Sequence, residues 1–159
     1  MKITLIVVGK IKEKYLSDAI REYSKRLLRF CTLRIIETAD EKTPDSPSGG
    51  ERRAVLKREG DRILDKIPEN AYVCAFEVDG ELISSPDIAG IIEEGAVRGK
   101  GHIVFVIGGS LGLDERISER ADRRISLGRV TYPHQLMRVI ALEQIYRGFK
   151  ILKNEPYHK

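Results

Sequence analysis

Two apolar runs of strand length, Ile3 to Val8 and Val104 to Ile107, each open directly onto glycine. A strand that faces water on one side alternates apolar and polar residues; a run without that alternation is covered on both sides, as in a parallel sheet with helices on each face. Between the runs, Leu16, Ile20, Tyr23, Leu27 and Phe30 recur at helical spacing, with Arg21, Lys25, Arg26 and Arg29 on the outer face. Leu33 to Ile36 form a second strand, and the strand, helix, strand order implies a parallel pair with a right-handed crossover.

The same reading continues along the chain. Thr38 to Gly50 is polar and rich in proline and glycine, a surface loop. Glu51 to Lys66 is a charged helix and Tyr72 to Val78 a third strand, ending in a tight turn at Asp79-Gly80. Ser85-Pro86 opens a helix that buries Ile88, Ile91 and Ile92. His102 to Ile107 is the fourth strand, a short helix starts at Asp114, and Ile125 to Leu127 is the fifth strand. The last helix, from about Pro133 to Lys153, is apolar on more than one face; a subunit interface or deep burial within the monomer would each account for it. The expected fold is α/β: a single domain over residues 1–159 with a mainly parallel sheet, helices on both faces and no second domain.

The fourth strand leads into Gly108-Gly109-Ser110-Leu111-Gly112, and the fifth into Gly128-Arg129-Val130-Thr131-Tyr132-Pro133. Loops at the carboxyl ends of neighbouring parallel strands are where open α/β sheets bind small molecules, which places the ligand between residues 108 and 133. Glycine at 108 would let a ligand lie close to the strand end. The loop lacks both the G-x-G-x-x-G spacing of a dinucleotide site and the Gly-Lys-Ser/Thr of a triphosphate site. It does match G-x-S-x-G, so a serine hydrolase built from Ser110, Asp122 and His134 or His158 is a rival, although no His-Gly-Gly segment accompanies it.

A chain of 159 residues with 42% hydrophobic and 33% charged residues has the makings of one globular domain. No apolar run is long enough to span a membrane, and the start makes a poor signal peptide, so export is not expected. Cys31 and Cys74 read as small buried hydrophobes in a reducing cytoplasm, and Cys and His are too scattered to suggest a metal. The net charge of +4 arises after residue 100, with 8 basic residues against 2 acidic from Arg123 onward. A positive field over the expected ligand loops suits a polyanionic substrate.

The stretch Leu127 to Arg138, its continuation Val139-Ile140-Ala141-Leu142-Glu143-Gln144-Ile145-Tyr146-Arg147, and the end Asn154-Glu155-Pro156-Tyr157-His158-Lys159 resemble the RlmH family. These are the ribosomal RNA large-subunit methyltransferases H, minimal SPOUT methyltransferases; the resemblance spans the chain and is weighted to residues 104 to 159. It implies a C-terminal trefoil knot, S-adenosyl-L-methionine as methyl donor, no metal, and a homodimer whose site combines one subunit's loops with the other's surface. The implied reaction is methylation of ring nitrogen N3 of a pseudouridine in large-subunit ribosomal RNA, within the assembled ribosome. The implied cofactor contacts are Phe76, Gly108, Leu127, Gly128, Arg129, Val130, Thr131 and Tyr132. The family usually carries leucine, serine and phenylalanine where this chain has Phe76, Gly128 and Tyr132. The N3 proton must leave, which nominates His158 and Tyr157 as catalytic, with Lys159 on the substrate and Arg138 either there, on phosphate or the methionine carboxylate, or in a helix-surface ion pair. His134 reads as a structural residue at the helix start. A non-catalytic RNA-binding or ribosome-assembly factor is the alternative that the basic C-terminal third would serve equally well.

Overall fold

The computed structural model describes residues 1–157. Five parallel strands, β1 (Lys2–Val8), β2 (Thr32–Thr38), β3 (Tyr72–Leu82), β4 (His102–Ile107) and β5 (Arg123–Ser126), form one sheet in the order β2-β1-β4-β3-β5. Five helices connect and follow them: α1 (Lys14–Leu27), α2 (Gly49–Leu64), α3 (Ser85–Arg98), α4 (Glu115–Arg120) and α5 (His134–Leu152). Among the described residues no helix is long and apolar enough to cross a membrane.

The unalternated strands are explained by what lies on each face. Ile3, Leu5 and Val7 of β1, with Tyr72, Cys74 and Phe76 of β3 and Ile103, Phe105 and Ile107 of β4, point into a core closed by α1, α3 and α5. Their neighbours Ile6, Val8, Val73, Val104 and Val106 point the other way, against Ile63 of α2 and Ile117 of α4. Side chains alternate between faces along a strand, so two cores require apolar residues at every position. Both cysteines are buried, and burial pushes the Cys31 thiol up to about 11.

Two sequence expectations are corrected. The fourth and fifth strands are not neighbours, because β3 lies between β4 and β5. Asp79-Gly80 is not a turn that ends β3: the strand runs on to Leu82 through an irregularity, pairing with Ile125 first at Phe76 and again at Glu81. Of the two readings left open for α5, burial within the chain accounts for Met137, Ala141, Leu142, Ile145, Tyr146 and Phe149, packed among α1 and α3, while Leu136 and Leu152 at its two ends stay exposed. Gly148 lets α5 approach α3; a Cβ there would lie 2.9 Å from Ile92 Cδ1 and 3.0 Å from Ile88 Cγ2.

Ile145 is fully buried in this monomer core. Replacing it with alanine should lower the unfolding free energy by about 2–5 kcal/mol in urea denaturation. A loss below about 1 kcal/mol would contradict this packing and return Ile145 to a surface role.

Candidate functional site

The loops at the carboxyl ends of β4 and β5, with the bent middle of β3 and the start of α5, line a cavity of about 830 Å³. Its walls are Phe76 to Asp79, Ile107 to Leu113, Ile125 to Gly128, Val130 to His134, and Met137. That is an ordinary size for a small-molecule or cofactor site.

The glycine loop is shaped by its own return. A Cβ on Gly108 would stand 2.3 Å from Gly112 O, so glycine is needed there for the loop to close on itself. Gly112 N–H donates to Gly109 O at 3.1 Å, and Gly112 holds φ +89°, in the left-handed region that favours glycine. Beyond it Asp114 caps α4, accepting from Arg116 N–H at 2.9 Å. The Arg116 guanidinium also bonds Asp61 of α2 at 2.7 Å, fixing the loop's far end and holding the Asp114 carboxyl below its usual range.

Residues 77–80 of β3 stand out of the strand and supply a wall that sequence reasoning missed. Glu77 accepts from Arg124 at 2.8 Å and from Ser118 Oγ at 2.8 Å; Asp79 accepts from Arg124 at 3.2 Å. Ser126 Oγ donates to Val78 O at 3.0 Å, and the Arg129 guanidinium bonds Val78 O and Gly80 O. The Arg129 side chain therefore ties down this segment instead of lining the cavity. Gly80 is pressed on β5, where a Cβ would come within 2.8 Å of the Ile125 backbone. The Asp79-Gly80 pair was the visible signal, read as a terminal turn when it marks a bend within the strand.

Phe76, Gly108, Leu127, Gly128, Val130, Thr131 and Tyr132 are brought together as cavity lining. Gly128 sits at φ +143°, again favouring glycine. Apolar walls from Phe76, Leu127, Val130, Tyr132 and Met137, interleaved with loop backbone, fit a flat heteroaromatic ring with polar edges. His134 also lines the cavity; burial, and then the nearby Arg138 charge, lower its pKa against the pull of Asp40, leaving a neutral imidazole at neutral pH.

Arg138 corrects its expected place on the substrate. It is 1% exposed, and its Nη2 donates to Val8 O at 2.5 Å and Gly9 O at 2.9 Å while Nη1 bonds Glu37 Oε1 at 3.2 Å. It pins the end of β1 and the edge strand β2 to α5. Burial pulls its pKa down, opposed by Glu37 and Asp40.

Tyr157 lies against α5 outside this cavity. Its hydroxyl donates to Glu143 Oε1 at 3.2 Å, its ring meets Tyr146 edge-on at 5.0 Å, and the Arg147 guanidinium covers it at 4.7 Å. Burial first, then the Tyr23 hydroxyl and Glu143, push its pKa up to about 12. The preceding Glu155 is held by Arg29 at 2.9 Å and Lys150 at 2.5 Å. His158 and Lys159 lie outside the described residues. Asp122 is at the opposite end of the sheet from Ser110, accepting from Val73 N–H at 2.8 Å, so the hydrolase triad is not assembled.

The family model described as "Predicted SPOUT methyltransferase" matches residues 1–158. The chain belongs to the SPOUT methyltransferase family. Among its curated relatives, the ribosomal RNA large subunit methyltransferases H of Bifidobacterium adolescentis and Clostridium beijerinckii are 55% and 52% identical, each aligned over the whole of both chains. A solved structure described as a probable methylase family protein from Haemophilus influenzae covers 99% of this chain and 70% of its own, with a TM-score of 0.56 at 12% identity, a likeness of fold.

Two glycines separate loop geometry from helix propensity. Gly90 has open space around its missing Cβ, so Gly90→Ala should raise stability by about 0.5–1 kcal/mol, whereas Gly108→Ala must displace loop backbone and should lower the melting temperature. Equal melting temperatures for the two variants would refute the loop closure. Arg138→Met should cost about 1–3 kcal/mol in denaturant titration, from the carbonyls and carboxylate it leaves without their donor; an unchanged midpoint would mean that the clamp is energetically idle.

Proposed function

We propose that this protein transfers a methyl group from S-adenosyl-L-methionine to ring nitrogen N3 of a pseudouridine in large-subunit ribosomal RNA. The observation that carries the reading is that loops from two non-adjacent strands meet with Phe76 around one cavity in a chain of the SPOUT methyltransferase family. The full-length relatives bearing the large-subunit methyltransferase name support the choice of RNA.

The donor supplies a methyl carbon already activated by its sulfonium, so the protein's work is alignment, exclusion of water and management of one proton. Backbone of the 108–112 and 127–132 loops would hold the donor, with Leu127, Val130 and Tyr132 against its adenine. Phe76 and Met137 keep that wall dry. With its single phenol proton given to Glu143, Tyr157 would meet the substrate base through its hydroxyl oxygen, as an acceptor. The reading gives the N3 proton to His158 and a phosphate contact to Lys159.

Tyr157 packs at Glu143 to Arg147, whereas the cavity meets α5 at His134 and Met137. At 1.5 Å per residue these stations are roughly 10–15 Å apart along the helix. A homodimer, in which one copy's tail serves the other's cavity, reconciles the two, and the trefoil knot around the C-terminal loops belongs to the same reading. The proposed place of work is the assembled ribosome in the cytoplasm.

A non-catalytic RNA binder is separated from this enzyme by the donor: S-adenosyl-L-methionine should raise the melting temperature, and no shift would favour the binder. Ribosomal RNA from cells lacking the protein should lack one methyl group on a pseudouridine by mass mapping, and an unchanged map would end the proposal. Deleting residues 157–159 should leave donor affinity nearly intact while abolishing turnover on ribosomes. His158→Ala alone should slow the reaction by about a hundredfold if it takes the proton. Mixing the tail-deleted chain with a Leu127→Glu chain should restore about a quarter of wild-type sites by random pairing of subunits; no recovery would exclude a site shared between copies.

A further inference from the structure

The loop leaving β1 runs from a residue clamped beside the cavity straight onto an exposed basic surface. Val8 O and Gly9 O accept from Arg138, one turn of α5 beyond the cavity residue His134, and Gly9 N–H donates to Thr38 O at 2.8 Å. The chain then presents Lys10, Lys12 and Lys14, all exposed, followed by Tyr15 at 70% exposure. Residues 10–29 hold seven basic side chains and three acidic ones. Lys14 and Arg21 share Asp18, while among the described residues Lys10, Lys12 and Lys25 have no carboxylate partner. Lys14, Arg21 and Lys25 fall on one stripe of α1, opposite the buried Leu16 and Leu27, and continue the positive surface for about 16 Å at 1.5 Å per residue.

An exposed tyrosine beside unpaired lysines has no role in the core, and the interaction that suits it is a π-face for a base next to phosphates. Resting on the RNA substrate proposed above, we infer that the β1–α1 loop and outer face of α1 are the element that docks ribosomal RNA, with Lys10, Lys12 and Lys14 on backbone phosphates and Tyr15 stacked on an unpaired base. Arg138 acts as a positioning residue for this element by fixing the loop's first residues to the cavity wall.

The test is equilibrium binding to ribosomes from cells lacking the protein, across potassium chloride concentrations, with donor affinity and sedimentation measured in parallel. The Lys10→Ala, Lys12→Ala, Lys14→Ala chain should bind more weakly, with a log–log salt slope shallower by about 2–3, as expected for three lost phosphate contacts. Tyr15→Ala should weaken binding by about ten- to a hundredfold and Tyr15→Phe should restore it. Donor affinity should be unchanged in all three. A wild-type salt slope in the lysine variant, equal binding by Tyr15→Ala, or dissociation of the protein into smaller species by Tyr15→Ala would overturn the assignment; in the last case the surface joins copies of the chain. If the wild-type chain itself neither binds nor methylates ribosomes, the RNA substrate falls and this surface falls with it. If wild type methylates and the variants match it, only the docking assignment is lost.

Discussion

Covering β1, β3 and β4 on both faces is the constraint from which the rest of the structure follows. Each of these strands sends alternate side chains into two different cores, so neither face can carry polar chemistry. Backbone polar groups are satisfied by the sheet along the strands and become available only where pairing stops. The cavity therefore sits where it does because β4 and β5 release their chains at the carboxyl edge, and β3, standing between them, bends out at 77–80 before it runs on to Leu82.

A buried guanidinium holds one corner of that edge. Removing Arg138 from water is costly, and its partners answer that cost with two backbone carbonyls and one carboxylate, while Nε is left without a partner. An apolar side chain of similar volume would pack there with less desolvation, but it could not bind the ends of β1 and β2 to one helix. The fork geometry of arginine matters, since a lysine ammonium could not span Val8 O, Gly9 O and Glu37 in the same plane. The end of β1 and the start of α5 thus behave as one piece, and the cavity wall at His134 is supported from beneath.

Much of this was legible in the sequence, for physical reasons that differ by residue. The strands and α1 announced themselves through periodicity, and the cavity loops through glycines at strand ends. Gly80 was seen but misread, because a glycine before a polar residue looks alike whether it ends a strand or presses a bend against β5. Strand order is a long-range property, so nothing local could place β3 between β4 and β5. The resemblance puts Arg129 on the cofactor, and position alone leaves Arg138 open between an anion and an ion pair, because a long cation near a site can as readily reach backward to backbone carbonyls as forward to an anion. The apolar girth of α5 left two readings open, and the flanking α1 and α3 account for Ile145 and Phe149 inside the monomer.

One helix then serves three structures. The first turn of α5 lines the cavity, the next carries Arg138 to the end of β1, and the turns beyond receive Tyr157 on Glu143, Tyr146 and Arg147. A helix is stiff over this length, so the separation between cavity and tail is set by residue count and does not relax when a loop moves. Tyr157 is moreover held by packing, by a hydrogen bond and by a cation over its ring, contacts that a swing into its own cavity would forfeit together. Tyr157 docked in that way stays clear of its own cavity, which is the physical reason for proposing the reaction across two copies of the chain.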